Sequence, residues 1–259
     1  MSLKKFFGKK AKTPDYSREL FIDSIPKDLS TLEIGPFYTP LSKGSKVKYF
    51  DIIDQAALIK RAQNLDSNIN TANIPFIEYV SPTGDLSIVK EKFEAVFSSH
   101  VIEHQLDFIG HLQQISEILK PGGKYYLNIP DKRYCFDHYH HESTISEIID
   151  AHFNKRTKHA LKSVIEHRTI THNHPADHWR GQHGEVDDVV NKIKNAIIEY
   201  QTHDYIDVHA WYFTPETFSG IISLLNQLSY INLKIARLHQ TPLYGIEFYC
   251  VLEKSDLND

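Results

Sequence analysis

The chain has 259 residues, a formal net charge of −4, 41% apolar and 24% charged residues. This is the make-up of a soluble globular protein with a sizeable core, and it excludes collagen-like, disordered and disulfide-scaffold classes. The slight acidic balance argues against a nucleic-acid partner. No apolar run approaches the ~20 residues that a bilayer span requires. Five lysines fall in residues 1–12 without an apolar region behind them, so residues 1–15 read as a flexible basic N-terminus rather than a secretory signal. Cys135 and Cys250 lie far apart without metal or redox spacing, which fits free thiols and a cytoplasmic location.

In chain order, Thr31–Gly35 is a short apolar strand ended by Gly-Pro, and Val47–Ile53 is a second strand. Gln55–Leu65 has helical spacing, with Ala57, Leu58, Ala62 and Leu65 on one face. Phe76–Val80 and Phe93–Ser98 are the third and fourth strands. Asp107 caps a helix whose stripe is Phe108, Leu112, Ile115 and Leu119; Lys120-Pro121-Gly122-Gly123 stops it. Tyr125–Ile129 is a fifth strand. The polar stretch 131–208 interrupts the alternation, with helical patches near 143–165 and 187–201, and reads as an insertion or lid within one domain spanning 1–259. Thr214-Pro215-Glu216 opens a late helix with Phe218, Ile221, Ile222, Leu225 and Leu228 as its core stripe. Residues 231–239 and 244–254 form a closing antiparallel hairpin.

Strands alternating with helices imply parallel βαβ units. Glu33-Ile34-Gly35 ends the first strand, and a glycine there lets the backbone pass close to a nucleoside. Asp51 ends the second strand sixteen residues later, where a carboxylate can accept hydrogen bonds from ribose hydroxyls. No G-x-G-x-x-G is present, so a nicotinamide site fits less well.

LEIGP, YFDIID, GDLS, FEAVFSSHVIEHQLDF and ILKPGGKYYLNIPD resemble the successive motifs of class I S-adenosylmethionine-dependent methyltransferases, over roughly residues 30–131. The chain also resembles bacterial methyltransferases associated with surface-polysaccharide genes, most visibly at IPDKRYCFDHY. The resemblance implies an α/β, Rossmann-like, seven-stranded, mostly parallel sheet with helices on both faces, a closing antiparallel hairpin and a His-rich helical insertion after strand five. It places Glu33, Gly35 and Pro36 near the methionine end of S-adenosylmethionine and Asp51 with Ile52 at the ribose. Asp85 and Leu86 fall near the adenine, and Ser99 and His100 close over the cofactor. Pro36, Phe37 and Tyr38 replace the glycine-rich loop frequent in the family and make this loop stiffer.

Sixteen histidines are the unusual feature, and ten fall between His138 and His183. His100, Glu103 and His104 have i, i+3, i+4 spacing and point one way if a helical turn starts at Val101. Three readings stay open for them: structure or substrate positioning, general base catalysis, and ligation of a divalent metal. Ubiquinone-pathway and small-RNA 3′-terminal O-methyltransferases, which this segment resembles, use an acid plus Glu-His here for a metal. His167, His172, His174, His178 and His183 read as a polar lid, with His172 an alternative proton acceptor and His172-x-His174 a possible completion of a metal site. Lys132 and Arg133 hold an acidic acceptor group or pair with nearby acids. His209, Trp211 and Tyr212 read as packing.

The expected activity is methyl transfer from S-adenosylmethionine to a hydroxyl of a sugar, nucleotide-sugar or related small polar acceptor. A His-rich metal-dependent hydrolase and a catalytically silent nucleotide-binding partner are the alternatives. Acceptor, methylated atom and oligomeric state do not follow from the sequence.

Overall fold

The computed structural model describes residues 16–40, 44–170 and 174–255. The elements run α1 (Arg18–Asp23), β1 (Thr31–Ile34), β2 (Val47–Asp51), α2 (Gln55–Leu65), β3 (Tyr79–Val80), β4 (Phe93–Ser99), α3 (Phe108–Ile118) and β5 (Leu119–Pro130). The insertion holds α4 (Ile145–Phe153), α5 (Leu161–Ile170), α6 (Pro175–Trp179) and α7 (Val189–Thr202). Then come α8 (Pro215–Gln227), β6 (Leu233–His239) and β7 (Glu247–Lys254). The strands form one seven-stranded sheet in the order β3-β2-β1-β4-β5-β7-β6. The first five pair in parallel, and β7 lies antiparallel between β5 and β6. This is the expected α/β sheet with its closing hairpin.

Local chemistry sets the helix starts. The Asp54 carboxylate accepts from the Ala57 N–H at 2.8 Å, and Asp107 accepts from Gly110 at 2.8 Å. Thr214 caps α8, with Pro215 at the first helical position. Each cap satisfies a donor that the helix itself leaves unpaired.

The sheet is covered on both faces. Phe248, Cys250 and Leu252 of β7 face the cluster built with Phe108, Leu112 and Ile115 of α3 and with Phe218 and Leu225 of α8. Tyr249 and Val251, one residue out of phase, face Phe21 and Ile25 at α1. Period-two alternation with both sets apolar is the mark of a strand buried on two sides. In the insertion, Val164, Ala196, Ile206 and Val208 form their own cluster, and Arg168 grips Glu199 with two hydrogen bonds of 2.9 and 2.8 Å.

Several sequence expectations are corrected. Leu65 is 66% exposed and Leu228 56% exposed, because each sits at a helix end beyond the reach of the core. Leu119 belongs to β5, where it pairs with Phe93; Pro121 prevents the helix from continuing. The third strand is shortened to Tyr79–Val80. The turn after β4 is a single 3-10 turn over Ile102–His104 rather than the start of an α-helix. The short helices α1 and α6 were not expected. The basic segment 1–15 lies outside the described residues.

Two outcomes follow. Leu112→Ala opens a cavity under the centre of the sheet, since Leu112 is fully buried, and should destabilise the chain by about 2–5 kcal/mol in chemical denaturation. Leu65→Ala should stay within about 0.5 kcal/mol. Burial also lowers the imidazole pKa of His111, His159 and His167 to about 4 each. Below about 6.5 the unfolded chain takes up protons that the native one refuses, at up to ~1.4 kcal/mol per pH unit per group. His209, whose pKa is raised where the Asp137 carboxylate outweighs burial, offsets one of them. The denaturation midpoint should therefore fall between pH 6.5 and 5; a midpoint flat to pH 5 would contradict this.

Candidate functional site

β1 and β4 are neighbours, yet the chain leaves β1 toward β2 and β3 on one side before returning to β4 on the other. Loops leaving adjacent strands in opposite directions open a crevice at their carboxyl ends. A cavity of about 210 Å³ lies there, bordered by Glu33, Gly35, Pro36 and Phe37 after β1, by Ser99 and His100 after β4, and by Arg18 of α1.

The backbone around this cavity is left-handed at three positions: Gly35 (φ 70°), Phe37 (φ 43°) and His100 (φ 53°). Such a conformation costs a side-chain-bearing residue roughly 1–2 kcal/mol. Gly35 is required doubly, because a Cβ there would stand 2.9 Å from Cγ2 of Val101. Its N–H donates to the Phe50 carbonyl at 2.9 Å, which ties the loop to the end of β2. Arg61 lies over the Phe37 ring at 5.3 Å.

The expected cofactor residues fall along these strand ends. Glu33 is buried on β1 and borders the cavity. Asp51 is buried at the end of β2. Burial raises its pKa against the backbone N–H groups of Ile53 and Ile52, with the Ile53 N–H at 3.2 Å. A ribose offers such a carboxylate the hydroxyl donors that burial denies it. Asp85 caps a 3-10 turn, accepting from the Ser87 N–H at 2.9 Å and from Gln114 at 2.7 Å. Leu86 turns its side chain into the core, so Asp85 is the polar group of that pair.

Sequence reasoning missed Arg18 and Glu247. Arg18 donates to Glu247 at 2.5 Å and to the Ser99 hydroxyl at 2.8 Å. His100 Nε2 lies 2.7 Å from the same Glu247 oxygen. Burial opposes charge on Glu247, but His100 and Arg18 hold its pKa below the usual range.

Next to this chain stands Glu103, fully buried, with both carboxylate oxygens lacking a hydrogen-bond partner. Burial raises its pKa. Three imidazoles surround it: His209 Nε2 at 3.8 Å, His100 Nδ1 at 3.9 Å and His104 Nε2 at 4.0 Å from Oε1. The Glu103 carbonyl accepts from the Ala210 and Trp211 N–H groups at 2.7 and 3.1 Å, which holds His209 in place.

The outer nitrogens settle the tautomers. His104 Nδ1 lies 3.2 Å from the Val208 carbonyl, so it donates, and Nε2 carries the lone pair in the neutral ring. His209 Nδ1 donates to Asp137 at 2.6 Å. Asp137 is kept ionised despite its burial by His209 and His140. Burial lowers the pKa of His104, and neighbouring His209 lowers it further. His104 is thus a neutral lone-pair donor at physiological pH.

The expected set His100, Glu103 and His104 is therefore only partly brought together. His100 turns its Nε2 to Glu247, while Glu103, His104 and His209 place one ligand atom each within 4.8 Å of one another. His209, read from sequence as packing, takes the third place. His172 lies outside the described residues. Arg133 is clamped on the fully buried Asp131 at 2.7 Å, and Lys132 donates to the His138 carbonyl at 3.1 Å; both engage the protein itself. His167 packs against Phe136 and His209. Among the described residues no helix is long and apolar enough to cross a membrane.

No curated protein matches the chain. Solved structures similar to it include the CcbJ methyltransferase from Streptomyces caelestis, at 11% identity over 96% of this chain and 100% of that one, TM-score 0.47. Another is magnesium protoporphyrin IX methyltransferase from Synechocystis PCC 6803 with bound SAH, at 12% identity over 92% of this chain and 83% of that one, TM-score 0.43. The family described as "Methyltransferase domain" matches residues 25–182, more than half of the chain. The chain therefore belongs to the methyltransferase domain family.

Proposed function

We propose that the protein transfers the methyl group of S-adenosylmethionine to a hydroxyl of a sugar, nucleotide-sugar or similarly polar small molecule. The observation that carries the O-directed reading is Glu103: a fully buried carboxylate without a hydrogen-bond partner, ringed by three imidazoles. A buried carboxylate needs a proton, a cation or a donor to offset its desolvation. An acceptor hydroxyl is such a donor, and it must release a proton as the methyl group arrives. His100 borders the donor cavity and also lies beside Glu103, so the two halves of the reaction meet at one residue.

In this reading Glu33 and Gly35 receive the methionine end, with Pro36 behind them. Asp51 and Ile52 receive the ribose, Asp85 borders the adenine, and Ser99 and His100 close the cavity. The donor arrives with its methyl group already activated, so the protein supplies alignment and proton removal. Glu103, His104 and His209 orient the acceptor oxygen, and the proton leaves to Glu103 or to His104 Nε2. The same three side chains fit a divalent cation, with Val208 and Asp137 orienting the imidazoles from behind; a bound ion supplies Lewis acidity to the hydroxyl. The polar insertion 131–208 serves as the lid over the acceptor within a single domain. Two buried free thiols agree with a cytoplasmic setting, and the resemblance to polysaccharide-associated methyltransferases agrees with a sugar.

Asp51→Ala should weaken S-adenosylhomocysteine binding by roughly 10- to 100-fold in calorimetry, the scale of one charge-assisted hydrogen bond. Unchanged affinity would remove the ribose assignment. Glu103→Gln should lower methyl transfer at least ~100-fold while donor affinity stays within about twofold. A rate per folded molecule equal to the parent's would make Glu103 structural. Tight donor binding with no transfer to any of a panel of sugars, nucleotide-sugars and phenols would favour a silent binding partner. Hydrolysis without the donor would favour a hydrolase.

A further inference from the structure

A second histidine cluster lies outside the Glu103 group. His138 follows β5, His178 sits on α6 and His183 on the turn behind it. One ring nitrogen from each lies within 4.8 Å of the others. His178 Nδ1 and His183 Nδ1 face each other at 3.0 Å. The His138 ring stacks on that of His183 at 3.8 Å and 15° and on that of His178 at 4.3 Å and 11°, so its in-plane lone pair meets a shared ion only when the ring turns out of the stack. Two ligand nitrogens on one tetrahedral zinc ion, with bonds of about 2.0–2.1 Å, stand roughly 3.3 Å apart; the observed approach is close to that.

The surroundings are those of a built site. His138 Nδ1 lies 2.7 Å from the Arg133 carbonyl. It must donate there, which leaves the lone pair of the neutral ring on Nε2, as outer partners do for metal-ligating histidines. Arg133 is itself anchored on Asp131. The Tyr139 hydroxyl reaches the His183 and Gly184 carbonyls at 2.7 and 2.6 Å. Trp179, next to His178, stacks on Tyr134 at 3.7 Å and donates to the Gly245 carbonyl at 2.8 Å. His178 itself is buried. The His138 ring is thus tied to the Arg133 carbonyl, and the backbone beside His178 and His183 is anchored through Trp179 and Tyr139.

From this geometry we infer that His138, His178 and His183 form a three-histidine site for a zinc-type divalent ion, fastening the insertion to the segment after β5. Three imidazoles without a carboxylate favour Zn²⁺, Co²⁺ or Ni²⁺ over Mg²⁺ or Ca²⁺. With three protein ligands, the fourth position belongs to water or an incoming ligand. The ion binds the lone pairs of two nitrogens that a single proton can otherwise only share.

The test titrates the full chain, stripped with a chelator, with Zn²⁺ by calorimetry and with Co²⁺ by visible absorption; neither methyl donor nor acceptor is needed. His183→Ala and His138→Ala should each lose one equivalent of Zn²⁺, or at least ~100-fold in affinity, relative to the parent. Both should also lose the zinc-dependent rise in melting temperature. His209→Ala should keep that equivalent, which separates this site from the Glu103 group. His183→Cys should restore binding and add a thiolate-to-cobalt charge-transfer band, a signature that a merely structural histidine would not give. Equal stoichiometry and affinity in parent, His138→Ala and His183→Ala, or no Zn²⁺ binding by the parent, would overturn the inference.

Discussion

The pairing of β1 with β4 at the centre of the sheet is the constraint on which the site depends. Thr31 to Ile34 align with Ala95 to Ser98 in parallel register, so both strands end at the same level while their loops depart in opposite directions. The cavity bordered by Glu33, Gly35 and His100 is the space between those loops. Gly35, with no Cβ to meet Val101, lets the loop after β1 pass close to the one after β4, and Phe37 and His100 take up left-handed backbone beside it. The packing that enforces those conformations comes from behind: Phe97 and Tyr126 under α1, and Phe108 and Leu112 of α3 under the other face.

Electrostatics separates two carboxylates near the crevice. Beside the cavity, Glu247 is compensated by Arg18 and His100. On the other side, Glu103 has imidazoles near it but no hydrogen bond to its carboxylate. From behind, Val208 holds His104 and Asp137 holds His209.

The sheet was legible because its information is local. Strand alternation, the caps Asp107 and Thr214, and the stop at Pro121 each act within a few residues. Gly35 and Asp51 were legible because they end strands whose order was already implied. The rest depends on pairings distant in sequence. Glu247 reaches His100 because β7 pairs with β5, placing Glu247 opposite Pro130. His209 reaches Glu103 through two backbone hydrogen bonds from Ala210 and Trp211, which no spacing rule contains. Arg18 lies on a six-residue helix too short to show a periodic stripe. The signal that pointed toward Glu103 was spacing, since His100, Glu103 and His104 stand at i, i+3 and i+4, while His209 joins them only through the fold.

The most direct test of the central claim is a crystal structure of the full chain with S-adenosylhomocysteine. The account predicts the sulfur in the cavity between Gly35 and His100, with the ribose hydroxyls on the Asp51 carboxylate. Glu103 should lie on the side from which an acceptor oxygen would approach the sulfur. A ligand bound away from the ends of β1 and β4, or with its ribose turned from Asp51, would contradict it.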